Sequence, residues 1–314
     1  MLVFSGTMYL DAEKIEGCGE DALTYQLDEN GNGYMFVFDG CGGAGSQKHI
    51  DLEGKKSAYV ASRCCAFFSD HYLERSTLHS SQGVDLFSEQ LYSYLMSIDE
   101  QFPMESSEST LVDVLPTTIS GINITNDDDC LSATYIWAGD SRGYIIDANG
   151  ISQVTEDDVN SEDAFTNITD NSIMNNRIHG AAHKEPFTLH STTIKMKEKC
   201  ILLCATDGCY DYFNSPMVFE YLMLSVIMAS GSYVEAESQL RQILKERSGD
   251  DCSMIIAFFG FEEYGEVKLL LHDRYQALDK DKDSFGASQG KMYWDLNYKT
   301  HYYRYNPLRS DIHG

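Results

Sequence analysis

Apolar residues in this chain form several short runs bounded by turn residues, the pattern of buried strands. Four such runs predict strands, at 34–38, 131–138, 200–205 and 252–259. A shorter run at 144–146 follows a turn, and we expect it to form a hairpin with the second strand.

Other apolar residues recur every three or four positions, which predicts helices. One stripe runs from Ala58 to Tyr72, and a second runs from Val84 to Ile98. Two further helices are expected to begin at the capping residues Ser215 and Ser232, reaching Ala229 and about Arg247. Helices that come in pairs between strands, without regular alternation, favour an α+β fold over a doubly wound sheet.

The division of the chain is predicted from its linkers and its composition. Only five prolines occur, and no Pro/Gly/Ser-rich linker interrupts the sequence. We therefore expect one main domain over residues 1–262 and a tyrosine-rich C-terminal extension over 263–314. The extension is interpreted as a peripheral helix and loop whose aromatic residues pack on the domain, with a partner-docking surface as the alternative.

The charge balance narrows the classes of partner. Among 314 residues, 49 are acidic and 23 are basic, which gives a formal net charge of −26. Such a chain repels nucleic acid and anionic membranes, and it is compatible with binding cations. The amino terminus lacks the basic region of a signal peptide, and Met217–Ala229 is too short to span a bilayer. Nine cysteines without a CxxC pair favour a reduced, cytoplasmic protein.

Several known functional motifs are matched only partly by the sequence. Gly40–Gly45 fits GxGxxG, but no apolar-periodic helix follows it, which argues against a dinucleotide site. Asp28–Asp39 superficially matches a calcium loop, yet its second half is apolar, so a hairpin turn is the better interpretation. No cysteine has an arginine six positions later, so a cysteine-nucleophile phosphatase loop is absent. His179 and His183 lie in a polar segment and are weak candidates for a metal pair.

Aspartates mark the ends of the predicted strands. Asp39, Asp140 and Asp207 each end a strand, and Asp250 and Asp251 precede another. Antiparallel strands bring one strand's end beside another's start, so these carboxylates could meet at one rim of a sheet. Oxygen ligands of this kind suit magnesium or manganese. The alternative is that each aspartate belongs to a solvated turn, where this residue is common.

At these residues the chain resembles the metal-dependent protein phosphatases of the 2C type, in particular their bacterial members. The similar segments are Glu20-Asp21, VFDGCGG (Val37–Gly43), AGDSRGY (Ala138–Tyr144), SQVTEDD (Ser152–Asp158), ATDGCYDYF (Ala205–Phe213) and GDDCSM (Gly249–Met254). They occur in the family's order over about residues 15 to 260.

The resemblance implies a four-layer αββα sandwich, in which two antiparallel sheets are flanked by helices. It also implies two to three manganese or magnesium ions and a set of ligands. Asp39 would bridge two ions, Gly40 would supply a carbonyl, Asp207 and Asp250 would hold the second ion, Glu20 and Asp21 would act mostly through water, and Asp140 and Asp211 would join Asp207 at a third ion. The catalytic residues implied are Asp39, Glu20 and Asp21.

The resemblance implies hydrolysis of phosphoserine and phosphothreonine in proteins by a metal-bridged water. It also implies a role in signalling, with a Ser/Thr kinase as candidate partner. Two residues depart from the family pattern. Cys41 replaces the histidine of eukaryotic members, and Glu16 occupies the place of a phosphate-binding arginine, with Lys14 the nearest basic residue. Substrate contacts are then expected elsewhere, in the segment 160–183. A weakly active or inactive binding module and a small-molecule phosphomonoesterase therefore remain as alternatives.

Overall fold

The computed structural model of the chain describes residues 1–76, 78–102, 114–158, 187–213, 215–282 and 304–305. The strands are β1 (Phe4–Ala12), β2 (Ala22–Leu27), β3 (Gly33–Phe38), β4 (Lys48–His49), β5 (Lys55–Lys56), β6 (Ile119–Asn126), β7 (Leu131–Ala138), β8 (Arg142–Asp147), β9 (Gly150–Gln153), β10 (His190–Met196), β11 (Cys200–Ala205) and β12 (Cys252–Phe259). The helices are α1 (Ser57–Leu73), α2 (Ser81–Gln101), α3 (Pro216–Ala229), α4 (Tyr233–Arg247) and α5 (Tyr264–Asp281).

Two five-stranded antiparallel sheets form the centre of the molecule. The first has the strand order β1-β12-β11-β8-β9, and the second has the order β10-β7-β6-β3-β2. Their inner faces are apolar and pack together, with Met35 and Ile122 of the second sheet in the same buried cluster as Leu202 and Ile255 of the first. When two sheets pack face to face in this way, the side chains on their inner faces interdigitate and form a core without water.

The outer face of each sheet is covered by helices. On the first sheet, Met8 and Ile256 share a buried cluster with residues of α3, α4 and α5. On the second sheet, Phe36 and Ile136 share another cluster with residues of α1 and α2. The four-layer αββα sandwich of two antiparallel sheets is therefore confirmed.

The predicted elements are largely found. The four apolar runs lie in β3, β7, β11 and β12, and the four helical patterns correspond to α1 to α4. The side chain of Ser232 accepts a hydrogen bond from the backbone N–H of Glu235, as its capping role requires. The turn at Asp28 links β2 to β3, and its Oδ1 accepts from the N–H groups of Asn30 and Asn32.

The hairpin predicted between 131–138 and 144–146 is wrong. β7 belongs to the second sheet, whereas β8 pairs with β9 and β11 in the first. Gly139, between these strands, has a φ of +92°, which an L side chain rarely adopts. The turn therefore carries the chain across the sandwich instead of reversing it within one sheet.

The C-terminal extension begins with α5, which packs against α3. Val267 and Leu271 of α5 are completely buried there. Glu220 of α3 is also completely buried, and its carboxylate pairs with Arg274 of α5 at 2.6 Å. The hydroxyl of Tyr305 donates to the same carboxylate. The helix and Tyr305 thus pack on the main core as expected, while the domain boundary after residue 262 stays a prediction.

Among the described helices, α3 is the most apolar. It has 14 residues, and it packs its buried side chains against the first sheet. Within the described ranges, no helix combines the length and apolarity needed to cross a bilayer.

Candidate metal centre

Asp39 directly follows β3, at one end of the sandwich. Its backbone carbonyl accepts hydrogen bonds from the Thr117 hydroxyl at 2.6 Å and from the Thr118 N–H at 2.8 Å. The next residue, Gly40, forms an isolated antiparallel bridge with Thr117. This bonding fixes the chain at the point where the carboxylate leaves the strand.

Asp207 follows β11, on the opposite sheet, and begins a short 3-10 turn over Asp207–Cys209. The turn is held to β12 by the N–H of Thr206, which donates to the carbonyl of Ser253 at 2.9 Å. A Cβ added to Gly208 would lie 1.8 Å from the carbonyl oxygen of Asp251. Glycine is therefore required here, because the turn lies directly against the start of β12.

The carboxyl groups of Asp39 and Asp207 meet between the sheets. Burial, and then the charge of Asp207, raise the pKa of Asp39 well above its ordinary value. Asp21 and Asp140 raise it further. Burial also raises the pKa of Asp207, whereas a hydrogen bond from Asp39 lowers it. Burial and the neighbouring charge of Asp207 thus both disfavour ionisation of Asp39.

Glu20 and Asp21 approach the same end from the loop before β2. The buried Asp21 accepts a hydrogen bond from the Thr206 hydroxyl at 2.7 Å, and burial raises its pKa well above the ordinary value. The Glu20 carboxylate contacts the ammonium of Lys56 at 2.6 Å. A Cβ added to Gly42 would lie 2.1 Å from Glu20 Oε2, so this carboxylate lies against the glycine-rich loop.

Asp140 follows β7 and is placed by its neighbours from the other sheet. Its backbone carbonyl accepts a hydrogen bond from the Tyr210 hydroxyl. Burial, and then the charge of Asp207, raise its pKa well above the ordinary value. Its Oδ1 atom is buried and has no hydrogen-bond partner. A buried carboxylate oxygen without a partner is costly, so this atom is an unsatisfied acceptor at the site.

Asp211 and Asp250 lie at the rim, and both residues are exposed. The Asp211 carboxyl nevertheless lies close to protein, and burial raises its pKa to about 6. The charge of Asp207 contributes to that increase, whereas Arg142 opposes it. Asp250 raises the pKa of both Asp207 and Asp21, so it also belongs to the cluster.

All the predicted carboxylates therefore lie at one end of the sandwich, but their expected placement at the rim of a single sheet is wrong. Asp39 and Asp140 follow strands of one sheet, while Asp207 and Asp250 flank strands of the other. They meet across the gap between the sheets. His179 and His183 lie outside the described residues, as does the segment 160–183.

The cluster fits divalent cations by its chemistry. In the parts of the chain that the structure describes, no three His, Cys, Asp or Glu side chains are grouped as ligands of one metal ion. The donors are nevertheless all carboxylate or carbonyl oxygens, which hard ions such as Mg²⁺ and Mn²⁺ prefer. The Asp140 Oδ1 atom has no hydrogen-bond partner, and burial followed by neighbouring negative charge raises the pKa values of Asp21 and Asp39. Bound cations would relieve both of these unfavourable features.

A buried ion pair beneath the cluster was missed by the sequence interpretation. Arg142, the first residue of β8, pairs with Asp157 at 2.6 Å and lies 4.1 Å from the ring centroid of Tyr210. Its charge lowers the pKa of Asp140, Asp207 and Asp211 relative to what burial alone would give. Arg142 lies in the segment AGDSRGY and Asp157 in SQVTEDD, and both segments were recognised in the sequence. Their opposite charges were the one feature of the sequence that could have predicted the ion pair.

The basic residues near the site are also placed. Glu16 lies in the exposed loop after β1, and Lys14 donates from its ammonium to the carbonyl of Ser248 at 2.6 Å. Arg63 of α1 donates to the carbonyl of Gly19 at 3.0 Å. Lys56 contacts the carboxylate of Glu20 and is half exposed. Sequence reasoning did not single it out, because it is distant from Glu20 along the chain.

Comparisons with solved structures place this geometry among known folds. The serine/threonine phosphatase PstP/Ppp of Mycobacterium tuberculosis superposes with a TM-score of 0.58 at 15% identity, over 82% of this chain and 99% of that one. Stp1 of Staphylococcus aureus gives 0.58 at 18% identity, over 82% and 95%. PppA of Pseudomonas aeruginosa, a regulatory component of its T6SS, gives 0.56 at 14% identity, over 82% and 99%.

This chain has the protein phosphatase 2C fold. The resemblance seen in the motifs is thereby confirmed at the level of the fold. A structure of the PstP catalytic domain contains two manganese ions, and it superposes with a TM-score of 0.57 at 15% identity over 82% of this chain and 99% of that one. No protein-family model and no curated protein sequence matches this chain.

Proposed function

We propose that this protein is a metal-dependent phosphatase that hydrolyses phosphoserine and phosphothreonine in proteins. The observation that carries the proposal is the meeting of buried carboxylates from both sheets at one end of the sandwich, with raised pKa values. The fold supports it, because the solved structures that share it include serine/threonine phosphatases. The manganese ions of PstP support divalent metal ions as the cofactor.

The ligand set proposed for these ions follows the resemblance. Two ions would be held by Asp39, the Gly40 carbonyl, Asp207 and Asp250. Glu20 and Asp21 would act mostly through metal-bound water. Asp140, Asp211 and Asp207 would hold a third. When bound, such ions neutralise the charge of a phosphate ester and acidify the attacking water.

The glycine-rich loop after Asp39 would let the substrate phosphate approach the backbone. A Cβ at Gly40 would lie 2.6 Å from the carbonyl oxygens of Ala58 and Glu20, and one at Gly45 would lie 2.6 Å from the Ala58 N–H. These positions therefore admit only glycine without movement of the backbone. The loop lies tightly against α1 and presents no bulky side chain to the site.

Lys56 is the residue proposed to contact the phosphate. The Lys14 ammonium already bonds to the Ser248 carbonyl, and Glu16 would repel a phosphate. The Lys56 ammonium lies beside Glu20, and its pKa is raised by the hydrogen bond to that carboxylate. It therefore remains charged at neutral pH and can bind a phosphate oxygen as a point charge.

Assays on phosphoserine and phosphothreonine peptides and on p-nitrophenyl phosphate test the proposal. We expect hydrolysis of the peptides with Mn²⁺ or Mg²⁺, its loss with EDTA, and its loss in Asp39→Asn. The Tyr25→Phe variant, altered on the exposed surface of β2, is the matched control and should retain the activity.

Each alternative gives a different result in the same assays. A small-molecule phosphomonoesterase would hydrolyse p-nitrophenyl phosphate but leave the peptides intact. A binding module would take up metal and hydrolyse neither. Full peptide hydrolysis in excess EDTA would contradict the metal-dependent reaction itself.

A further inference from the structure

Two thiols lie directly beside the carboxylate cluster and have no role in the proposed reaction. Cys209 ends the 3-10 turn that begins at Asp207, and Cys252 is the first residue of β12. Their exposed fractions are 0% and 1%. A Cβ added to Gly208 would lie 3.4 Å from Cys252 Sγ, so the second thiol lies directly against the turn that carries the first.

Each thiol also bonds to the backbone of the opposite segment. Cys209 Sγ donates to the Ser253 carbonyl at 3.4 Å, and Cys252 Sγ donates to the Gly208 carbonyl at 3.2 Å. The pair thus connects the turn that carries Asp207 with the strand start that follows Asp250. These are the two aspartates proposed to hold the same ion.

We propose that Cys209 and Cys252 form a reversible disulfide when the protein meets a hydroperoxide, and that this bond weakens metal binding at Asp207 and Asp250. The inference concerns regulation of the proposed metal centre and rests on the proposed function for its consequence. The formation of the bond can be tested independently of it.

The oxidation balances with a hydroperoxide as the two-electron oxidant. One sulfur attacks the peroxide, the O–O bond breaks, and a sulfenic acid forms with release of water or an alcohol. The second sulfur then attacks the sulfenic sulfur, the S–O bond breaks and a molecule of water leaves. Two thiols lose two electrons and two protons in total, and one S–S bond forms.

Disulfide formation would disturb the position of Asp207 for two reasons. A disulfide holds its sulfurs about 2.05 Å apart, closer than two unbonded thiols can approach, so forming it moves the turn relative to β12. The bond also removes both S–H donors, which leaves the carbonyls of Gly208 and Ser253 without them. The turn cannot absorb the change near Gly208, because the Asp251 carbonyl already lies against it.

Cysteines elsewhere in the chain serve as comparisons. None of the nine cysteines is in a disulfide in the structure. Cys64 and Cys65 are adjacent in α1, where consecutive side chains point in different directions. Cys18 is exposed in the loop after β1, which makes it a suitable control for oxidation of an accessible thiol.

The test treats the full-length protein with hydrogen peroxide under native conditions and then maps disulfides by peptide mass spectrometry. We expect a cross-link between Cys209 and Cys252 that dithiothreitol removes. Calorimetric titration with Mn²⁺ should show binding weakened by roughly 10–100-fold in the oxidised protein and restored on reduction. Cys209→Ser, Cys252→Ser and Cys252→Ala should lose the cross-link and the peroxide effect, whereas Cys18→Ser should keep both.

The possible outcomes separate this inference from the proposed function. Absence of the cross-link in the folded native protein would overturn the inference, as would a cross-link that leaves Mn²⁺ affinity unchanged. If the reduced protein binds no Mn²⁺ at all, the proposed function fails together with the regulatory consequence, even where the cross-link forms. Circular dichroism of the three thiol variants verifies that any loss of the cross-link occurs in folded protein.

Discussion

Replacing Arg142 should destabilise the metal-free protein more than replacing its partner Asp157. The two side chains form three hydrogen bonds, at 3.0, 3.1 and 2.6 Å, and their side chains are only 13% and 9% exposed. If a buried ion pair were isolated, replacing either partner would cost a similar amount of unfolding free energy. This pair is not isolated, because the guanidinium also opposes the negative charge of Asp140, Asp207 and Asp211.

The two substitutions therefore leave different charges behind. In Arg142→Met, Asp157 stays buried beside Asp140 and Asp211, whose pKa values its charge already raises. Removing one partner of a buried ion pair costs about 3–5 kcal/mol of unfolding free energy, and we expect a loss in this range. In Asp157→Asn, the guanidinium keeps other carboxylates as counter-charges, and the amide oxygen still accepts one hydrogen bond. We expect this variant to lose about 1–2 kcal/mol.

Urea unfolding in EDTA at pH 7.5 measures both losses. Arg142→Lys is the matched control, since it retains the charge without the planar pair of hydrogen bonds, and it should fall between the other two. At pH 5.5 the carboxyls with raised pKa values bind protons, so the cost of Arg142→Met should shrink. Equal losses for Arg142→Met and Asp157→Asn at pH 7.5, or a cost of Arg142→Met that is the same at both pH values, would show that the guanidinium does not offset the charge of the cluster.

Three further predictions follow from the described contacts. Burial raises the pKa of Asp211 to about 6, above its value in the unfolded chain, so the folded protein binds protons more tightly than the unfolded chain does. The stability of the metal-free protein should therefore fall as the pH rises from about 4 through 6. Thermal unfolding at constant salt measures this fall, and its absence would indicate that the cluster is not formed. Glu220→Gln should cost about 3–5 kcal/mol in urea unfolding and Tyr305→Phe about 1–2, because only the first leaves a buried arginine unpaired; similar values would contradict this. Lys56→Ala should raise the KM for p-nitrophenyl phosphate severalfold while Glu16→Arg lowers it, and an unchanged KM in Lys56→Ala would exclude the contact proposed for that residue.

The parts of the fold that the sequence predicted are those whose strands are continuously apolar. β3, β7, β11 and β12 are covered on both faces, by the facing sheet and by helices, so nearly all their residues are apolar. β6 is equally buried but carries polar residues such as Asn123, which bonds to His79 at 3.1 Å. β10 is mostly exposed, so its sequence HSTTIKM has no apolar run. A buried strand that contains hydrogen-bonded polar residues and a strand that is exposed both lack the continuous apolar run by which strands were predicted.

The candidate site was predictable where one residue type marks a strand end, and unpredictable where long-range pairing decides. Asp39, Asp140 and Asp207 could be identified because each follows an apolar run. The meeting of Asp39 and Asp140 with Asp207 across the sandwich depends on which sheet each strand joins, and the turn at Gly139 looks alike in either topology. For the same reason the contact of Lys56 with Glu20 needed the structure, because β5 and the loop before β2 meet only in the folded chain.

If the carboxylates of both sheets form a centre for divalent ions, Mn²⁺ should bind beside them. Anomalous scattering at the manganese edge from crystals grown with Mn²⁺ measures this. We expect at least two strong peaks, in contact with the carboxylates of Asp39 and Asp207, and their loss in crystals of Asp39→Asn grown in the same way. A well-ordered map that shows both aspartates and no anomalous peak beside them would contradict it.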